Sequence, residues 1–245
     1  MRNARSIPPT LVAVAHGSPD PRAHRAVEAL VRLVRALRPG LRVELGHLEI
    51  DKPLLADTLA RLRGEAVLVP LLFSRGYHVK HDIPAIVAGA NPRLNVTTAA
   101  CLGPHPLLAE ALHSRLVEAG HRRGDAVILA AAGSLDPESA AGTGYTAQML
   151  ATRLGGARVL PAYASAARPT VAEAVERLRA EGHHGIAMAS CFVAPGLFST
   201  RCAEAAPGAV AAPLAPHPAL ARLLLHRYDQ ARDAAFTSPA LATTA

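Results

Sequence analysis

The chain has 245 residues, 50% hydrophobic and 18% charged, which suits one large globular domain or two small ones. Its formal charge of +7 fits a small polyanionic ligand as well as an Arg-rich surface, and the absence of any Lys/Arg block of five or more speaks against a nucleic-acid partner. Three scattered cysteines exclude a disulfide framework, 3% aromatics with no Trp exclude a ring-stacking platform for single strands, and no uncharged apolar run of about 18 residues is present to cross a membrane.

Residues 1–9 (MRNARSIPP) carry no apolar secretion segment, so a cytoplasmic location is expected. A buried strand is predicted over 11–15 (LVAVA), followed by a turn over 16–21 and a helix to about residue 38. That helix puts Val27, Leu30, Val31, Val34 and Leu37 on one face and stops at Pro39-Gly40. A second strand spans 41–48, and Pro53 opens a helix that runs to Arg63. A third strand over 66–72 (AVLVPLL) leads into a polar loop over 73–81 and a short helix from Asp82. Residues 94–100 read as a fourth strand and 106–119 as a helix. Strands alternating with helices imply a parallel sheet covered on both faces.

The same programme then repeats, with strands expected over 126–131, 157–163, 186–191 and 210–212. Residues repeat along with the pattern. Ala15-His16-Gly17-Ser18 is echoed 116 positions on by Ala131-Ala132-Gly133-Ser134, and Pro53 by Pro169. Gly103-Pro104-His105-Pro106 returns as Ala215-Pro216-His217-Pro218. The expected organisation is a duplicated pair of α/β domains, 1–122 and 123–232, with a seam near 121–124 and a disordered tail over 233–245.

A duplicated chain contains its own control, because what both halves keep serves the shared fold. By that criterion the Gly-Ser turn is structural, and His105 and His217 begin helices. What only one half keeps is free to serve function. His16 aligns with Ala132, Glu49 with Ser165, and His78 in Gly76-Tyr77-His78 with Phe198 in Gly196-Leu197-Phe198. The three first-half residues follow the ends of the first three strands, the edge at which open α/β sheets bind ligands. Two imidazoles and a carboxylate can hold a divalent metal with coordination positions left open, and can accept protons near neutral pH.

Other motifs carry less. Gly142–Ala147 matches GxGxxA but neither follows directly on a strand nor has an acidic residue about 20 positions later. Neither a P-loop nor a GxSxG elbow is present. Cys101 reads as a small core residue, and His183-His184 falls at the sheet edge opposite the candidate site. His81, about one helical turn beyond His78, is a candidate for a second ligand or for substrate contact.

AHGSPDPRA after the first strand, LEIDKP after the second, LLFSRGYHVKHDIP after the third and LGPHPLLAEAL ahead of the fourth helix together resemble the sirohydrochlorin chelatase family of the CbiX/SirB type. The likeness is strong over 10–120 and decayed over 125–232. It implies two Rossmann-like chelatase domains with a cleft between them, and nucleotide-independent insertion of Co²⁺ or Fe²⁺ into sirohydrochlorin without an organic cofactor, in cobalamin or siroheme biosynthesis. It also implies metal-handling roles for His16, Glu49 and His78. One departure is His81, where similar sequences more often show an acidic or basic residue. Arg22, Arg25, Arg75 and Lys80 flank the motifs and are the expected partners of the macrocycle's carboxylates, in what would be a basic cleft. Alternatives are a chelatase for another metal, such as Ni²⁺, or another tetrapyrrole, and a non-catalytic metal or tetrapyrrole carrier. A monomer is expected, since two fused halves make an assembly of identical domains unnecessary.

Overall fold

A computed structural model describes residues 8–237. Each half is built on a parallel sheet. The first contains β1 (Thr10–Ala15), β2 (Val43–His47), β3 (Gly64–Pro70) and β4 (Leu94–Thr98), in the order β2-β1-β3-β4. The second contains β5 (Ala126–Ala131), β6 (Val159–Tyr163) and β7 (Ile186–Ser190), in the order β6-β5-β7. Register repeats across the duplication, Ala15 facing His47 on β1–β2 and Ala131 facing Tyr163 on β5–β6. The fourth strand expected over 210–212 is reduced to a single bridge, Met188 to Val210. Pro213 has no N–H to extend a ladder, which limits that segment to one pairing.

The helices are α1 (Pro21–Leu37), α2 (Leu55–Arg61), α3 (Ile83–Ala88), α4 (Pro106–Glu118), α5 (Pro137–Arg153), α6 (Val171–Ala180), α7 (Leu197–Glu204) and α8 (Pro218–Thr237). Asp20 and Asp136 cap α1 and α5 at matched positions, each accepting from a backbone N–H two residues on. On α1, Val27, Leu30, Val31 and Val34 are buried, but Leu37, the last residue of the helix, is exposed. Residues 233–237, expected within a disordered tail, are the last turn of α8, and 238–245 lie outside the described residues.

The two halves exchange their last helices. Helix α4, from the first half, packs on α5 and β7 of the second, while α8 crosses back onto α1, β3 and β4 of the first. Tyr228 on α8 is fully buried and donates to the carbonyl of Pro9 at 2.7 Å. Arg38 holds Asp229 with both arms of its guanidinium, at 2.6 and 2.7 Å. One hydrophobic core accordingly contains residues from both sheets, Leu11 and Val69 together with Leu129 and Ala187.

Candidate functional site

The C-terminal ends of both sheets face a shared cavity of about 580 Å³. Its position follows from the turns after β1 and β5. Gly17 has φ +106°, and a Cβ there would stand 1.9 Å from the carbonyl oxygen of Glu49; Gly133 has φ +89° and the same 1.9 Å approach to the carbonyl of Ser165. Only glycine tolerates either condition. The close approach is held by Leu48 N–H donating to Ala15 O at 2.9 Å and Glu49 N–H to His16 O at 3.0 Å. Across the cavity the halves meet symmetrically. A side chain at Gly76 would lie 3.6 Å from Ser134 Oγ, and one at Gly196 3.5 Å from Ser18 Oγ.

On this frame His16 and Glu49 come together, with Nε2 and Oε1 3.0 Å apart. Nδ1 of His16 lies 3.0 Å from the carbonyl of Gly17, so a ring that donates there turns a bare Nε2 lone pair toward the Glu49 carboxylate. A cation between them satisfies both. His78 stands beside this pair, its ring edge-to-face with that of His16 at a centroid distance of 4.6 Å. It lies not in a loop but at the start of a π-helical turn, His78–Asp82, that runs into α3. That turn brings the Asp82 carboxylate to 2.6 Å from His78 Nδ1, which fixes the ring and leaves Nε2 for a ligand. Asp82 was missed from sequence, although a carboxylate four residues after a candidate histidine is a readable signal.

His16, Glu49 and His78 are neighbours without forming a closed donor set. Among the described residues, the set of three potential ligands with donor atoms all within 4.8 Å of one another is His24, His47 and Asp51. None of the three was singled out from sequence.

The residues expected to bind substrate carboxylates lie outside the cavity lining. Arg22 is engaged with Asp20 at 2.7 Å, and Arg25 is exposed on α1. Lys80 bridges to Asp136 at 2.5 Å and Glu138 at 3.1 Å, and Arg75 lies 3.9 Å from Glu138. These pairs fasten the 73–82 segment to the start of α5, in the other half. The two acids hold the Lys80 ammonium above its usual range. His81 packs on Tyr77, ring centroids 4.7 Å apart. The cavity lining contains no Arg or Lys, contrary to the expected basic cleft; it is apolar, with Phe73, Phe192 and Leu197, and carries hydroxyls at Ser74, Ser139 and Thr143. Lys80 and Arg75 are held outside the lining by Asp136 and Glu138 at the start of α5.

His105 and His217 are helix caps. Nδ1 of His105 accepts from Leu107 N–H at 3.1 Å, and Nδ1 of His217 from Ala219 N–H at 3.1 Å. Burial, with a smaller contribution from the Arg227 charge, pushes His105 down to about 4. Cys101 is buried in the core. No helix among the described residues is long and apolar enough to cross a membrane.

Two parallel α/β units with histidines and a carboxylate gathered over the cavity between them define a doubled chelatase-type fold. The model of the CbiX family matches residues 10–119 and again 126–231, and the chain belongs to that family. The solved structure of SirB from Bacillus subtilis with Fe³⁺ superposes with a TM-score of 0.76 at 20% identity, covering 93% of this chain and 97% of that one. A sirohydrochlorin cobaltochelatase of Saccharolobus solfataricus is 34% identical over 89 residues, 31% of this chain and 70% of its own length. One from Saccharolobus islandicus is 45% identical over 49 residues, 18% of this chain; that match spans only 38% of the relative's length.

Proposed function

We propose that this chain is a sirohydrochlorin chelatase that inserts a divalent metal, Co²⁺ or Fe²⁺, into the macrocycle in cobalamin or siroheme biosynthesis. The observation that carries this reading is the contact of His16 with Glu49 beside His78 at the mouth of an apolar, two-sided cavity. The matched positions of the second half hold Ala132, Ser165 and Phe198. Family membership and the metals and substrate named for its relatives agree with it.

The residues divide the work by chemistry. His16 and His78 offer neutral nitrogen to the incoming metal, and Glu49 a carboxylate oxygen, a mixed set that accepts cobalt and iron alike. An incompletely closed donor set suits a metal that must be surrendered. Metal insertion releases two pyrrole N–H protons. As the metal passes to the macrocycle, Glu49 and His16 become bare bases 3.0 Å apart at the point where those protons leave. The apolar walls, Phe73 and Phe192 among them, suit the face of a flat ring. Arg75 and Lys80 at the rim, and Arg22, Arg25 and His81 further out, remain the proposed contacts for the peripheral carboxylates.

The test is insertion followed by the absorbance of the macrocycle, with Co²⁺ or Fe²⁺ and sirohydrochlorin both in large excess over protein. Many turnovers per chain are expected in the parent and few in His16→Ala. Conversion that stops at one equivalent would make the protein a carrier and defeat the proposal.

A further inference from the structure

We propose that His24, His47 and Asp51 form a second divalent-metal site, for a transition metal of the Co²⁺, Ni²⁺ or Zn²⁺ class, on the wall of the same cavity. It is separate from the His16 pair and joined to it through the turn over residues 47–51. Its role is to hold a metal ion beside the site that uses one.

Three elements converge to make it. His24 comes from the first turns of α1, His47 from the last position of β2, and Asp51 from the turn beyond. The rings of His24 and His47 are stacked with centroids 5.9 Å apart, and His24 Nδ1 is 4.0 Å from Asp51 Oδ1. All three donor atoms fall within 4.8 Å of one another. A tetrahedral ion with nitrogen and oxygen ligands needs separations of about 3.4 Å. Rotation of the half-exposed His24 side chain is the movement available to supply the difference.

Each ligand is already oriented from behind, as metal ligands are. His47 is 1% exposed, and its Nδ1 lies 3.2 Å from the carbonyl of Pro53, so the ring donates there and turns the Nε2 lone pair inward. His24 Nε2 lies 3.3 Å from Glu28 Oε1, one turn along α1, which leaves Nδ1 toward Asp51. Asp51 accepts from Ser18 N–H at 3.0 Å through Oδ2 and keeps Oδ1 for the site. Two imidazole nitrogens and one carboxylate oxygen favour a borderline transition metal over Mg²⁺ or Ca²⁺, which take oxygen.

The duplication supplies an independent control. At 116 positions on, His24, His47, Asp51 and the supporting Glu28 become Ala140, Tyr163, Ala167 and Gly144. The second half keeps the same strand register and the same glycine turn, so the fold requires none of these four side chains. His47 and Asp51 line the cavity that His16 and His78 also line, and Glu49 lies between them in the chain.

The experiment titrates Co²⁺ into the metal-free full-length chain, with stoichiometry read by equilibrium dialysis and coordination by visible absorption. The variants are the double change His24→Ala/Asp51→Asn and, separately, His16→Ala. Asn retains the acceptor for Ser18, and Ala is what the second half carries at the place of His24, so both proteins are expected to fold, checked by circular dichroism. Two Co²⁺ per chain are expected in the parent, one in the double variant and one in His16→Ala. A parent that binds a single Co²⁺, lost in His16→Ala and kept in the double variant, overturns the second site. So does a double variant that still binds as many ions as the parent. If His16→Ala keeps the parent's count while the double variant loses one, the second site stands and the metal-handling role of His16 fails.

Discussion

The turn after β1 and the turn after β5 share one backbone and differ in chemistry. Both have a glycine at positive φ pressed against the carbonyl of the residue 32 positions on, and both continue into an Asp-capped helix. In the first, this close approach carries His16 and Glu49 into contact; in the second, Ala132 and Ser165 occupy the same places, and Ser165 Oγ merely donates back to Ala132 O at 3.1 Å. A scaffold that survives with Ala132 and Ser165 in place of His16 and Glu49 shows that the turn geometry is a property of the fold, with the side chains carried on top of it. The second half still contributes one wall of the cavity and the acids that fasten the 73–82 segment.

The largest effect is expected where the halves depend on each other. Tyr228→Ala empties a fully buried aromatic site on the exchanged helix, and truncations of this kind cost about 3–5 kcal/mol. Urea unfolding is expected to shift as one transition for both halves, since the core is common to them. Two separated transitions, only one of them moved, would mean that the halves are independent units.

His16→Ala makes the first turn resemble the second. It is expected to fold with an unchanged thermal midpoint and to lose about 100-fold or more in metal insertion, on the scale of removing an essential catalytic group. Insertion near the parent rate would place the chemistry elsewhere. Asp82→Asn leaves His78 in place and weakens the group that aims it, so a loss of about 10- to 100-fold in Co²⁺ affinity at that site is expected, the usual penalty for an outer partner. Equal affinity in a dialysis measurement would reduce Asp82 to a surface charge.

A smaller effect comes from the paired histidine caps. His105 must keep a bare Nδ1 to cap α4, and burial holds it near 4 while an unfolded imidazole titrates at about 6.5. Between those values the unfolded chain takes up a proton that the folded chain refuses, so stability is full above about 6.5 and declines as the pH falls toward 4. His217, lowered for the same reason of burial, adds to the decline. His105→Asn, which keeps an acceptor at the cap, is expected to flatten this dependence in urea midpoints compared at pH 7 and 5, values chosen around the reference of about 6.5. An identical slope in the variant would sink the assignment. The smallest effect expected is none: Ala132→His restores one imidazole to the second turn, but Ser165 and Phe198 supply no partners, and no additional Co²⁺ is expected to bind in a titration.

Apart from the strand expected over 210–212, which is a single bridge, the strands, the helices and the repeat were legible because each rests on patterns local in the chain. LVAVA and AVILAA are apolar runs too short for anything but buried strands, and Asp20-Pro21 and Asp136-Pro137 announce helix starts wherever they occur. The candidates His16, Glu49 and His78, which the structure places side by side, could be singled out through the duplication, which separates what the fold needs from what it merely carries. The positions of Lys80 and Arg75 were not, because their acidic partners Asp136 and Glu138 lie more than 50 residues away and in the other half. Nor was the meeting of His24, His47 and Asp51, which come from a helix, a strand end and a turn.

By itself, then, the amino-acid order determined two parallel α/β units with reactive side chains at the strand ends of only one. Those properties follow from backbone preference and from the period of apolar residues, which act over a few positions. Tertiary structure decided which sheet each last helix covers. The apolar faces of α4 and α8 require burial but carry no address. Both sheets offer apolar surface, and only assembly of the common core, sealed by Tyr228 and Arg38–Asp229, sends α8 to the first sheet and α4 to the second.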